Sequence, residues 1–190
     1  ANLTTTAGAL TLDGDSNDIA ENVVPNDSIS IANGVTFTSA SDISLNATTS
    51  GISAAGALTL TAPSSITLTG NLTAAGAVDL TANSGITLNS NITTSSSSSL
   101  NIDANSSTLS LASGVVLSSA GALTLAASNA SSLGNLTLTS TGSTVNINSA
   151  LTSTGALAMT ANSGLNLNNI GLTGAGNITL QGGTGLTLAS

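Results

Sequence analysis

Residues 51–70 read GISAAGALTLTAPSSITLTG, and residues 71–90 read NLTAAGAVDLTANSGITLNS. Set one above the other, the two lines agree nearly column for column. Leu58-Thr59-Leu60 in the first becomes Val78-Asp79-Leu80 in the second, and Ile66-Thr67-Leu68 becomes Ile86-Thr87-Leu88. A single apolar residue follows each second triplet: Leu72, then Ile92.

The pattern extends over almost the whole chain. The first triplet recurs at Leu100-Asn101-Ile102, Leu123-Thr124-Leu125, Leu136-Thr137-Leu138, Leu157-Ala158-Met159 and Ile178-Thr179-Leu180. The second recurs at Leu109-Ser110-Leu111, Val145-Asn146-Ile147, Leu165-Asn166-Leu167 and Leu186-Thr187-Leu188, with Leu151 as a further single apolar position. The first triplets are spaced by 20 to 23 residues, except for one step of 13 between Leu123 and Leu136. Self-similarity at such a period marks a stacked architecture.

Each triplet is apolar, polar, apolar, the period of a strand with one buried face. Three residues make no stable strand alone, but stacked on the equivalent triplet of the next repeat they share a continuous core. Each inward Leu, Ile or Val contributes roughly 1.5–3 kcal/mol on burial, while the middle Thr, Asn or Asp faces water. Turn residues separate the triplets. Thr81–Gly85 and Thr160–Gly164 are both TANSG, and Asn and Gly reach left-handed backbone at little cost. The Ala-Gly-Ala element at residues 55–57, 75–77 and 120–122 predicts corners where neighbouring backbones approach closely. Helix is disfavoured throughout: no apolar stripe of helical period survives, and Gly, Ser, Thr and Asn saturate the chain.

The reading is all-β: a parallel β-helix (β-solenoid) with 20–23 residues and three short strands per coil, one domain over residues 1–190. Right-handed winding is expected, because crossovers between parallel strands take that hand and the six-residue period of left-handed solenoids is absent. Coils rising by ~4.8 Å predict roughly eight or nine coils and a rod on the order of 40 Å long. Met159 is expected inside, in the column of Leu60 and Leu125, and Phe37 is expected to point inward. Two stretches break the rhythm. Residues 13–28, DGDSNDIAENVVPNDS, are expected to leave the coil as an acidic loop, and residues 126–134 to form a smaller corner insertion.

Composition excludes more than it selects. There is no Lys, Arg, His or Cys, and Ser and Thr make up a third of the 190 residues. The net charge of −8 comes from Asp13, Asp15, Asp18, Glu21, Asp27, Asp42, Asp79 and Asp103. Without a cation there is no grip on phosphate, so nucleic acid and anionic lipid are not expected partners. Mean hydropathy is +0.41, yet the apolar residues come two or three at a time, far from the ~18–20 of a membrane span, so no membrane insertion is expected. The first residues lack the basic and apolar regions of a secretory leader, which in an exported chain of this kind would lie outside this sequence. Absence of cysteine rules out a disulfide framework. Both terminal lines, ANLTTTAGALTL and GLTLAS, read as coil rather than cap, so the rod is expected to continue in further repeats or to stack end to end on itself.

Catalysis is not expected. Acid–base and nucleophilic chemistry need His, Lys, Cys, Tyr or a tuned carboxylate pair, and the first four are absent. Asp79 and Asp103, about one coil apart, are expected as two solvated carboxylates. Asp13, Asp15, Asn17 and Asp18 resemble the D-x-D-x-D opening of a calcium loop, with Glu21 as a supplementary oxygen. Position twelve is Val24, however, where such loops carry glutamate, so a solvated acidic loop competes with calcium. Nine Asn-x-Ser/Thr sequons, at Asn2, Asn26, Asn46, Asn71, Asn91, Asn105, Asn129, Asn135 and Asn177, are candidate glycan sites at a number close to chance for this composition. The outward column Thr59, Asp79, Asn101, Thr124, Thr137, Ala158, Thr179 and the column Thr67, Thr87, Ser110, Asn146, Asn166, Thr187 suggest a second class of function, ice binding through threonine arrays, although both are interrupted.

Lines such as GALTLTA, SGITLNS and NLTAAGAVDL resemble the repeat region of filamentous haemagglutinin-like bacterial exoproteins, very large surface or secreted adhesins with right-handed β-helical shafts. The resemblance covers nearly the whole chain apart from residues 13–28. It implies an extracellular location at the bacterial cell surface and an adhesive role, but carries over no binding residue. With Phe37 the sole aromatic and no cation, the chain lacks the anchors of a binding head. It is expected to be a non-catalytic structural shaft or filament segment.

Overall fold

The computed structural model describes residues 2–14, 28–168 and 171–189. Among them there is no helix, and every strand pair is parallel. The chain is a parallel β-solenoid of about 8 turns with about 21 residues per turn. Between Leu58 and its partner Val78 one coil on, the chain passes through Leu58–Ala62, Ser65–Thr69 and Leu72–Ala74. Three ladders therefore run along the rod, here called the first, second and third faces.

The inward columns follow from the period-two pattern. On the first face Phe37, Leu60, Leu80, Ile102, Leu125, Ile147 and Leu167 stack in register. On the second face Ile43, Ile66, Ile86, Leu109, Ala130 and Leu151 do so. On the third, Ile29, Ile52, Leu72, Ile92, Leu117, Leu138 and Met159 continue the series. All of these side chains are buried, and together they form one core. Phe37 points inward as expected.

Met159 is fully buried, but it stacks on Leu138 and Leu117, not in the column of Leu60 and Leu125. The column of Leu60 and Leu125 passes instead to Ile147. The reason is a slip of the sequence repeat relative to the coil. The coils beginning at Leu58 and Val78 have two wide faces and a narrow third one, Leu72–Ala74 or Ile92–Thr94. The coil beginning at Leu100 is wide on all three, Leu100–Asp103, Thr108–Leu111 and Val115–Ser119, and needs 23 residues to reach Leu123. From there on the second face is the narrow one, carrying Ala130, Leu151 and Leu172 as its apolar residues. Leu136–Ser140 and Leu157–Ala161 therefore lie on the third face. The same line of sequence has moved round the rod by one face.

The two TANSG segments display the slip. Thr81–Gly85 joins the first face to the second, and Thr160–Gly164 joins the third to the first. Each makes the same backbone bonds to the coil before it, Asn83 to Ala62 and Ser84 to Ser64, Asn162 to Ser140 and Ser163 to Ser143. Residues 126–132 belong to one long strand, Leu123–Ser132, that runs from the first face into the second. An irregularity between Ala126 and Asn129 turns the corner, and residues 129–132 pair with 108–111 on one side and 150–153 on the other. The close corners are also as expected: a Cβ on Gly76 would fall on the backbone of Gly56 and Ala57, and one on Gly121 would sit 2.6 Å from the Ser97 oxygen.

Candidate functional site: the outward faces

With the registers in hand, the outward side chains can be read as ranks. On the first face the rank is Thr36, Thr59, Asp79, Asn101, Thr124, Asn146 and Asn166. Its amides and carboxylate bond along the rod. Asn101 donates to Asp79 at 2.9 Å, Asn166 to Asn146 at 2.8 Å and, one position along, Asn168 to Asn148 at 2.8 Å.

The other two faces differ. The second carries Thr11, Ser44, Thr67, Thr87, Ser110, Ser131, Thr152 and Thr173, an unbroken hydroxyl rank. The third carries Ser30, Ser53, Thr73, Thr93, Ser118, Thr139 and Thr160 before Gln181 interrupts it. None of these hydroxyls takes part in a hydrogen bond of the described chain, unlike the amides of the first face. The interrupted columns read from the sequence mixed two faces: Thr137, Ala158 and Thr179 stand on the third face, in line with Val116. Asn146 and Asn166 stand on the first. The unbroken ranks are invisible without the registers.

Of the candidate calcium ligands, Asp13 ends the strand Leu10–Asp13, where Asn46 donates to it at 3.5 Å. Asp15, Asn17 and Asp18 lie outside the described residues, as does most of the expected acidic loop at 13–28. Among the described residues no three metal-binding side chains cluster, and no helix is long and apolar enough to cross a membrane. Asp79 and Asp103 lie on the first face in successive coils, each with a partner of its own. Asp79 accepts from Asn101, and Asp103 accepts from the Asn105 backbone at 2.7 Å.

The sequons have a structural logic. Asn71, Asn91 and Asn135 each precede an inward apolar residue of the third face, Leu72, Ile92 and Leu136. The side-chain oxygens of all three accept a backbone N–H from the next coil: Asn91 at 3.1 Å, Val116 at 2.8 Å and Ala156 at 2.9 Å. The following Thr73, Thr93 and Thr137 point outward. Asn-x-Thr is thus corner asparagine, core residue, face hydroxyl. Asn105 is tied through its amide nitrogen to Asn83 at 2.7 Å and to the Ala82 carbonyl, whereas Asn2 and Asn177 are exposed. Asn26 lies outside the described residues.

One carboxylate escaped the sequence reading. Asp42, at the corner before Ile43–Asn46, accepts the Ser65 hydroxyl at 2.6 Å, the Ser65 backbone N–H at 3.0 Å and the Ser41 hydroxyl at 3.0 Å. These bonds, the Ser65 hydroxyl foremost, hold its carboxyl well below the usual range. The signal was present as Ser41-Asp42 with Ser64-Ser65 one coil later, but it carries meaning only once the coil length is known.

Comparison with known protein families, with curated proteins and with solved structures finds no match.

Proposed function

We propose that this chain is a structural shaft segment, a right-handed β-solenoid belonging to an extracellular bacterial surface adhesin or matrix fibre, and that it is non-catalytic. The observation that carries the reading is the continuity of the three apolar columns, which makes length the quantity the sequence encodes. The resemblance to filamentous haemagglutinin-like repeats points the same way. The interior is uncovered at both ends of the described stack: Leu3 is 43%, Leu186 46% and Leu188 69% exposed. In this proposal further coils cover these residues, supplied by a longer polypeptide or by another copy stacked end to end. Each carboxylate described above is bonded to a neighbour, and His, Lys, Cys and Tyr, the groups that most often activate a nucleophile or carry a proton, are absent from the sequence, which supports the non-catalytic reading. Sequon glycans belong to the proposal only where the amide faces water, as at Asn2 and Asn177.

Electron microscopy of the native material tests the reading. Long fibres with a ~4.8 Å axial repeat, built of this chain or of a polypeptide containing it, are expected. The unbroken hydroxyl rank of the second face favours one alternative, an ice-binding solenoid. Dispersed monomers that reshape growing ice crystals would overturn the shaft and establish that alternative.

A further inference from the structure

We propose that Asn33–Gly34 is a self-modification site: the Asn33 side-chain amide is lost as ammonia through ring closure onto the Gly34 nitrogen, and the folded corner holds that reaction back. The site bears on the ageing of the coil, whatever the rod serves, and so stands apart from the shaft reading. Asn33 is the one asparagine of the chain followed by glycine. Any other following residue sets a Cβ beside the attacking nitrogen, and glycine has none. The pair forms the corner between Ser28–Ile31 on the third face and Val35–Thr38 on the first. Both residues are exposed, Gly34 stands at φ +69°, and nothing lies within 4 Å of where its Cβ would be. Water and hydroxide therefore reach the site.

The chemistry needs no reagent beyond water. Hydroxide removes the Gly34 amide proton, and the nitrogen attacks Asn33 Cγ. The new N–C bond closes a succinimide as the Cγ–Nδ2 bond breaks, and the leaving nitrogen takes a proton from water to depart as ammonia. Water then adds to either carbonyl of the ring and opens it, to aspartate or to isoaspartate, whose main chain runs through the side-chain carbon. In the folded chain both reacting groups are held by one residue of the next coil. The Gly34 N–H donates to the Ala57 carbonyl at 3.1 Å, and the Ala57 N–H donates to Asn33 Oδ1 at 3.1 Å. Ring closure has to break the first of these bonds and turn the amide out of the second, so it draws on the open form of the corner. Gly56 belongs to the same clasp, because a Cβ there would fall on the Asn33 amide. Each reaction leaves a permanent mark: a new carboxylate and, in isoaspartate, an extra backbone carbon that no longer fits the pairing with Ala57.

Incubation of the intact chain at mildly alkaline pH, followed by peptic digestion and mass spectrometry, tests the site. In guanidinium chloride, with unfolding confirmed by circular dichroism, Asn33 is expected to be the first asparagine converted, to a mixture of aspartate and isoaspartate. In buffer its conversion should run roughly tenfold slower or more. A folded Gly56→Ala chain should convert faster than the parent in buffer and at the parent's rate in guanidinium. Should that variant unfold outright, the parent with and without denaturant decides alone. Gly34→Ala should slow the conversion of Asn33 in guanidinium, where folding plays no part. Another asparagine converting ahead of Asn33 in denaturant would overturn the site. Aspartate formed without isoaspartate would overturn ring closure, since direct hydrolysis gives aspartate alone. Equal rates for the parent in buffer and in guanidinium would overturn the protection by the corner, as would a folded Gly56→Ala chain that converts no faster than the parent.

Discussion

Asp42 illustrates how a single residue joins coils. Its carboxylate takes the Ser65 hydroxyl and backbone N–H from the coil above, and its backbone carbonyl accepts the Leu10 N–H at 2.8 Å from the coil below. Because hydrogen bonding favours the charged form, the folded-state pKa lies below the unfolded one. The sign follows: the stabilisation is fully present above the unfolded pKa and is lost as pH falls through the depressed folded value. Asp42→Asn is therefore expected to lower the melting temperature at neutral pH. The gap between variant and parent should shrink only as the pH is taken below the ordinary carboxylate range. Thermal scans across an acid series check this, and a gap that is constant with pH would contradict it.

At the scale of the element, the corners and the strands were legible to different depths. Period-two alternation is local, so the inward positions of Leu58, Leu60, Phe37 and Met159 could be read from neighbouring residues alone, and each is buried. The Ala-Gly-Ala corners were equally legible, because only glycine tolerates a backbone where its Cβ would be. Gly76→Ala should cost about 1–3 kcal/mol through overpacking against the Gly56–Ala57 backbone. Gly164→Ala, whose added Cβ would meet Asn166 at an ordinary 3.7 Å, should stay within about 0.5 kcal/mol of the parent. Urea denaturation of the two variants tests the contrast. What could not be read locally was the face on which a triplet sits. All three faces share one pattern, so Leu136-Thr137-Leu138 looks the same over Leu123 as over Val115, and only the pairing with Val115 and Leu117 decides it. The step of 13 residues between Leu123 and Leu136 therefore reads as an insertion in the sequence, while in the fold it is the passage from one face to another.

For the whole molecule, that passage determines what the surface offers. It gathers Thr87, Ser110 and Ser131 into one rank on the second face and brings Thr93, Ser118 and Thr139 together on the third, while the described carboxylates Asp13, Asp42, Asp79 and Asp103 stand on the other two faces and the corner between them. The ice-binding alternative is read from these ranks and the shaft from the inward columns, so the register is the claim on which both depend. The chain has no native cysteine, which makes paired cysteines a direct probe. Neighbouring parallel strands hold in-register Cα atoms ~4.8 Å apart, within the roughly 4.4–6.8 Å that a disulfide spans. Thr124 is paired with Asn146, whereas Thr137 lies on another face against Val116. Under mild oxidation Thr124→Cys/Asn146→Cys is expected to form an intramolecular disulfide and Thr124→Cys/Thr137→Cys to remain reduced. Closure of the Thr124–Thr137 pair with the Thr124–Asn146 pair left open would contradict the account.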